Sequence, residues 1–215
     1  MAINFSSFNS AEVAGISTSV LATLGSDAIQ TLGTSQAAQL TAGQFNGFST
    51  ETLSLLSSEL IRVLTSRQVS GISSRQARAL TDGQVAALTT STLAGFGTAG
   101  IRALTTDQIR TLSSEQISSL GSVQLTALSS LQIVAIEEND LAALQPDRFA
   151  GILTGQIIAL NFQQLAALSS AQLGALGSTQ ARALKTSQIV SLSTQQSSVL
   201  TSRFITALTS SQIGA

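Results

Sequence analysis

Cysteine, histidine, tryptophan and tyrosine are all absent from this 215-residue chain, and proline occurs once. Without cysteine there are no disulfides and no thiolate nucleophile; without histidine the commonest metal ligand and the commonest general base are missing. A metal site would have to be built from carboxylates alone. Charged residues are 10% of the sequence, and ten bases against eleven acids leave a formal net charge of -1. That balance gives no electrostatic case for nucleic acid or for acidic lipid. No run approaches the roughly 18 apolar residues that a membrane helix needs, so insertion into a bilayer is not expected. The opening residues, MAINFSSFNSAEVAGIS, lack the basic start and continuous apolar core of a secretory signal. The chain therefore reads as soluble. Low charge, no cysteine and abundant Ser, Thr, Gln and Ala nevertheless suit proteins exported without a cleaved N-terminal signal, so an extracellular or cell-surface location is the expectation.

What is present is a period of eight. Every residue whose number is a multiple of eight, from Phe8, Ile16 and Leu24 to Leu200 and Leu208, is Leu, Ile or Phe. Numbering positions by remainder, position five is apolar throughout except at Ser197, and position four is Gln in 16 of 27 copies, including Gln36, Gln84, Gln116, Gln156 and Gln188. Position one is mostly Ser, Thr, Gly or Asn. The consensus is [S/T]-[S/T]-x-Q-[I/L]-x-A-L. An unbroken period predicts a single solenoid domain over residues 1–215, with function in its surface and ends rather than in a unique pocket.

Ser or Thr followed three residues later by Gln is a capping box, so each octad announces a new helix start. Apolar residues three apart lie on one face of a helical turn, whereas a strand would send them to opposite faces. Charge placement agrees with a helix over positions two to eight. Acids gather at positions two and three (Asp27, Glu51, Glu59, Asp82, Asp107, Glu115, Glu138, Asp147) and half of the bases at position six (Arg62, Arg78, Arg102, Arg110, Arg182), as the helix dipole favours, although Arg67, Arg75 and Arg203 sit early. Pro146 falls at position two, the first helical residue, where a missing amide costs nothing. Ten of sixteen glycines lie at positions seven or one, where a helix must end and the chain turn. One continuous helix is excluded: eight residues at about 100° each rotate the apolar stripe by about 80° per octad, and no partner could follow it. The expected fold is all-α, a superhelix of very short helices of six or seven residues, one per octad. A β-solenoid is the alternative, since Ser/Thr ladders also occur there, but few aromatics and an Ala, Leu and Gln bias weigh against it.

Two stretches depart from the consensus, Thr89 to Gly100 and Glu137 to Ile152. Both keep the five/eight pair. The second carries Glu137, Glu138, Asp140 and Asp147, which read either as a cation site or as a solvated cluster at helix starts, the second being favoured because no calcium-loop pattern accompanies them.

At LTTDQIRTLSSEQISSL and again at LTSSQIGA the chain resembles the LTxxQ octapeptide tracts of very large bacterial surface or secreted proteins. The resemblance implies bacterial origin, a role in adhesion, matrix or appendage structure, and no catalysis. LSSLQIVAIE, from Leu128, is also similar to the repeat openings of DNA-binding effectors of plant pathogens, a likeness that stops at shared capping-box chemistry.

The first octad carries Phe5 and Phe8, and the last stops at Ala215, one residue before the next Leu is due. A second copy starting at Met1 would continue the stack almost in register. The expected function is therefore a non-enzymatic structural protein that assembles with itself, head to tail, into an open filament through Phe5, Phe8, Ile205, Leu208 and Ile213. The alternative is a monomeric spacer or a binding scaffold whose Ser/Thr rows meet glycan, ice or another matrix protein. No cofactor is expected. An enzyme would need a carboxylate pair or an activated Ser or Lys, and the only lysine, Lys185, stands in no motif.

Overall fold

A computed structural model of the chain describes residues 4–214, leaving the side chain of residue 10 aside. These residues form one short 3-10 turn, Phe5–Ser7, followed by 26 α-helices in tandem, one per octad, with no strand among the described residues. The fold is an all-α repeat solenoid, and the β-solenoid alternative falls. Each helix starts where the capping boxes place it. At Thr41, Ser73, Thr105, Ser129 and Ser169, for example, the hydroxyl accepts from the amide of the Gln three residues on, and the Gln Oε1 accepts from the N-cap amide in return. Pro146 takes the first helical position of Pro146–Ala150.

The helices are shorter than the sequence predicts. They span four to six residues, about 6–9 Å at 1.5 Å per residue, because position eight is not helical. Phe48, Leu88 and Leu120 are extended, with ψ between 128° and 139°. That swing points the position-eight side chain into the core and frees its carbonyl from the helix. The helix end therefore needs no left-handed residue, and no described residue, glycine included, has positive φ. Glycines at positions seven and one do lie at helix ends, as C-caps at Gly15, Gly95 and Gly151 and as N-caps at Gly33, Gly121 and Gly177, but without the left-handed conformation. Two of them also serve close approach: a Cβ on Gly71 would lie 2.1 Å from Asn46 Nδ2, and one on Gly95 would lie 2.4 Å from the Ser66 carbonyl oxygen.

The chain divides into two compact units, Met1–Thr111 and Leu112–Ala215. Both are built alike. In the first, Ser74–Ala79 packs against Thr98–Ala103, and in the second, Glu138–Ala142 packs against Phe162–Ala167, each helix meeting the third one along. Position five is buried in every octad from Phe5 to Ala181, and position eight from Leu32 to Leu184. Burying such a side chain stabilises by roughly 1.5–3 kcal/mol, and helices this short would not form in water without it. Both irregular stretches keep this core through Leu93, Phe96, Leu141, Leu144, Phe149 and Ile152.

Candidate functional site: glutamine staples and the open last turn

The position-four glutamines are buried, Gln164 and Gln172 to 1% exposure, which is unusual for a polar side chain with two donors and an acceptor to satisfy. Both ends of the amide are engaged. While Gln164 Oε1 accepts from the Asn161 amide at 3.2 Å, its Nε2 donates to the carbonyls of Ile133 and Ile136 at 2.9 and 2.8 Å. Gln156 does the same to Leu125 and Leu128, at 2.8 and 2.7 Å, and Gln84 to Leu53 and Leu56, both at 2.7 Å. The acceptors lie 28 and 31 residues upstream, at positions eight and five of the fourth octad back. A single side chain thus satisfies an orphan amide at the start of its own helix and, at the end of another, an orphan position-eight carbonyl together with a position-five carbonyl that also accepts from the position-eight amide. Packing to the third helix along and stapling to the fourth octad back fix one coil of each unit at between three and four octads.

Where glutamine is missing, other donors reach the same acceptor. Thr52 Oγ1 donates to the Leu24 carbonyl at 3.1 Å and Thr92 Oγ1 to the Leu64 carbonyl at 2.6 Å, each 28 residues upstream. Asp140 has no donor to offer as a carboxylate. It is nearly buried and accepts from the Ser114 hydroxyl. Glu137, Glu138 and Asp147 remain exposed, so the four acids do not converge, and no three acidic side chains among the described residues are grouped to hold a metal.

The five residues expected at an assembly contact fall into different settings. Phe5 is fully buried. Its ring lies 6.3 Å from that of half-buried Phe8, its amide donates to Thr31 Oγ1 at 2.8 Å, and the Phe5 and Phe8 carbonyls both accept from Gln36 Nε2 at 2.7 Å. These two residues close the inside of the first turn. By contrast Ile205 and Ile213 are 48% and 65% exposed, and Leu208 is half-buried. They repeat at positions five and eight of the last octads, accompanied by exposed Val190 and Val199, which no feature of the octad pattern singles out. The register drawn between Ala215 and Met1 falls outside the described residues.

The staple places glutamine after a small buried residue, the position-eight anchor and the capping pair, an order that reads Ala103-Leu104-Thr105-Thr106-Asp107-Gln108. Residues 90–122 and 149–186 match the ALTTAQ repeat. The LTxxQ-type octapeptide likeness therefore holds. Four of the six letters of ALTTAQ have a defined place in this geometry: a small residue at position seven, the anchor at eight, the cap at one, and the staple at four. The second ALTTAQ tract contains four consecutive staples, Gln156, Gln164, Gln172 and Gln180. No curated protein matches the sequence significantly.

Grooves on the surface are open and lie between successive coils. One of about 480 Å³ is lined by Ser74, Arg75, Arg78, Ala99, Arg102 and Ala103, and another of about 430 Å³ by residues around Ser169 and Gln196. Neither carries a nucleophile with an adjacent base, which a covalent mechanism would require.

Proposed function

We propose that the chain is a non-enzymatic structural segment, acting as a spacer or scaffold in a bacterial extracellular or cell-surface assembly. The observation that carries this reading is the staple. Within each unit, from Gln36 to Gln108 and from Gln156 to Gln212, the one recurrent buried polar side chain holds coil to coil, leaving most Ser, Thr and surface charges to cap helices and face solvent. Such an array grows by repetition, with stability accumulating through neighbouring repeats, which suits a part whose task is to hold other parts at a distance. Its regular lateral surface is then the place for glycan or for other matrix proteins. Electron microscopy of the full chain over a dilution series tests the reading: dispersed particles of constant size at every concentration are expected, and uniform filaments would overturn it.

Those filaments would support the second reading, self-assembly of copies head to tail. One specific observation favours it. Ile205 and Ile213 occupy core positions of the octad and yet are exposed.

A further inference from the structure

Charge of one sign gathers in a single groove of the first unit. The groove of about 480 Å³ between Ser74–Ala79 and Thr98–Ala103 carries Arg75 and Arg78 on one wall and Arg102 on the other, all three exposed, and no acid lines it. Elsewhere in this unit a position-six arginine follows an acid three residues earlier: Glu59 precedes Arg62, and Asp107 pairs with Arg110 at 2.7 Å. In the two walls of the groove that earlier position holds Arg75 and Ala99 instead. Neither Arg75 nor Arg78 makes an ion pair or a side-chain hydrogen bond to any described residue. Like charges three apart on a helix repel, and Arg75 stands in a first turn, where the helix dipole disfavours a cation. The fold gains nothing from this pair, so its charge is left facing the groove.

We propose that this groove binds acidic polysaccharide, receiving its carboxylate or sulfate groups on Arg75, Arg78 and Arg102. The proposal deepens the scaffold reading above, by naming what one part of the lateral surface holds, and rests on it. All three bases are arginine, whose planar fork meets an oxyanion through two parallel hydrogen bonds where lysine would offer a point charge. The site is an open groove with small side chains, Ser74, Ala99 and Ala103, between the bases, which suits a chain passing through rather than a molecule enclosed. Its walls are held in place. The Ser74 hydroxyl donates to the Ala99 carbonyl at 3.2 Å, and at buried Gly100 the helices come so close that a Cβ would lie 3.1 Å from Ile72 Cγ2. The positive charge is also local. Exposed Asp82 opens the helix that follows Ser74–Ala79, exposed Asp107 lies in the one that follows Thr98–Ala103, and the whole chain carries -1. A nucleic-acid duplex or an anionic membrane spreads its charge over a wide face and would meet those carboxylates as well as the arginines. A sugar chain with spaced single charges need meet only the groove.

The test uses the full chain and a labelled oligogalacturonate, beside the same oligosaccharide as its uncharged methyl ester, read by fluorescence anisotropy. Dextran sulfate, which carries sulfates and no carboxylate, is run in parallel; groove-dependent binding of either polymer supports the proposal and says which oxyanion is taken. Saturable binding that weakens with added salt is expected, and none for the ester. The chain bearing Arg75→Gln and Arg78→Gln should bind roughly tenfold or more weakly, while Arg62→Gln, which removes a positive charge outside the groove, should bind as the parent does. Circular dichroism checks that the variants keep the parent's helix content, and the ester comparison needs no variant at all. Equal binding by the parent and the Arg75/Arg78 variant, an equal loss in Arg62→Gln, equal affinity for acid and ester, or binding confined to duplex DNA, to phosphatidylglycerol vesicles or to inorganic phosphate would overturn the proposal. Electron microscopy of the same samples keeps it apart from the spacer reading: dispersed particles that bind neither polymer sink the groove alone, and filaments sink the spacer whichever polymer binds.

Discussion

Arg148 donates through its guanidinium to the carbonyl of Leu120, 28 residues upstream, as Gln156 does to Leu128. An arginine stands where the repeat has glutamine, and the bond survives because the requirement at position four is a donor of sufficient reach, rather than glutamine itself. Thr52 and Thr92 meet the same requirement with a hydroxyl. This relationship between position four and a distant position eight organises the expectations below.

Arg148→Gln should change stability by no more than about 1 kcal/mol, since one donor replaces another, while Arg148→Glu removes the donor and sets a carboxylate against the Leu120 carbonyl, costing on the order of 2–3 kcal/mol. Urea denaturation of the two variants beside the parent compares them directly. Similar midpoints for Gln and Glu would show that the side chain at 148 does not serve as a staple.

Gln164→Glu keeps the acceptor that caps Phe162–Ala167 and removes the two donors to Ile133 and Ile136. The buried Ile136 carbonyl loses its donor while that of Ile133 keeps the Ile136 amide at 3.2 Å, so the loss should be about 1–3 kcal/mol. Hydrogen exchange should locate the loss at both helices that the staple joins, around Ser130–Ala135 as well as Phe162–Ala167. Loss confined to the latter would reduce the glutamine to a simple cap.

Gly95→Ala and Gly71→Ala make a pair with a predicted order. At Gly95 the new Cβ meets the Ser66 backbone carbonyl, which cannot move without shifting its helix. At Gly71 it meets the end of the Asn46 side chain, which can rotate away. Gly95→Ala should therefore destabilise by about 1–3 kcal/mol and Gly71→Ala by clearly less, as thermal melts of both variants will show.

Glu59 lies in the first turn of Ser58–Arg62, where its own backbone amide, the Ser57 hydroxyl and Arg62 favour the carboxylate and hold its pKa below the usual value of 4.5. A depressed folded-state pKa stabilises the fold above the ordinary carboxylate range and loses that contribution as pH falls through the lowered value. Denaturation midpoints should accordingly fall less steeply on acidification in Glu59→Gln than in the parent. Identical acid limbs in the two chains would remove Glu59 as a contributor.

The sequence by itself determined the octad, its helical character, the start of each helix and the pairing of positions five and eight in the core. These follow from interactions within three or four residues: a hydroxyl with the amide three residues on, an apolar pair on one face, a dipole with its nearest charges. Such contacts are written in spacing and are legible without a fold. Only the tertiary structure decided where the glutamine Nε2 goes, how many octads complete a coil, that position eight leaves the helix, and why Gly71 and Gly95 must be small. Those features join residues 25 to 31 apart, and the distance between coils is set by the summed backbone angles at every joint between helices. A one-dimensional pattern holds no record of that sum. The capping role of glutamine could be read locally, and its second role appeared only when another coil was brought within reach of its amide.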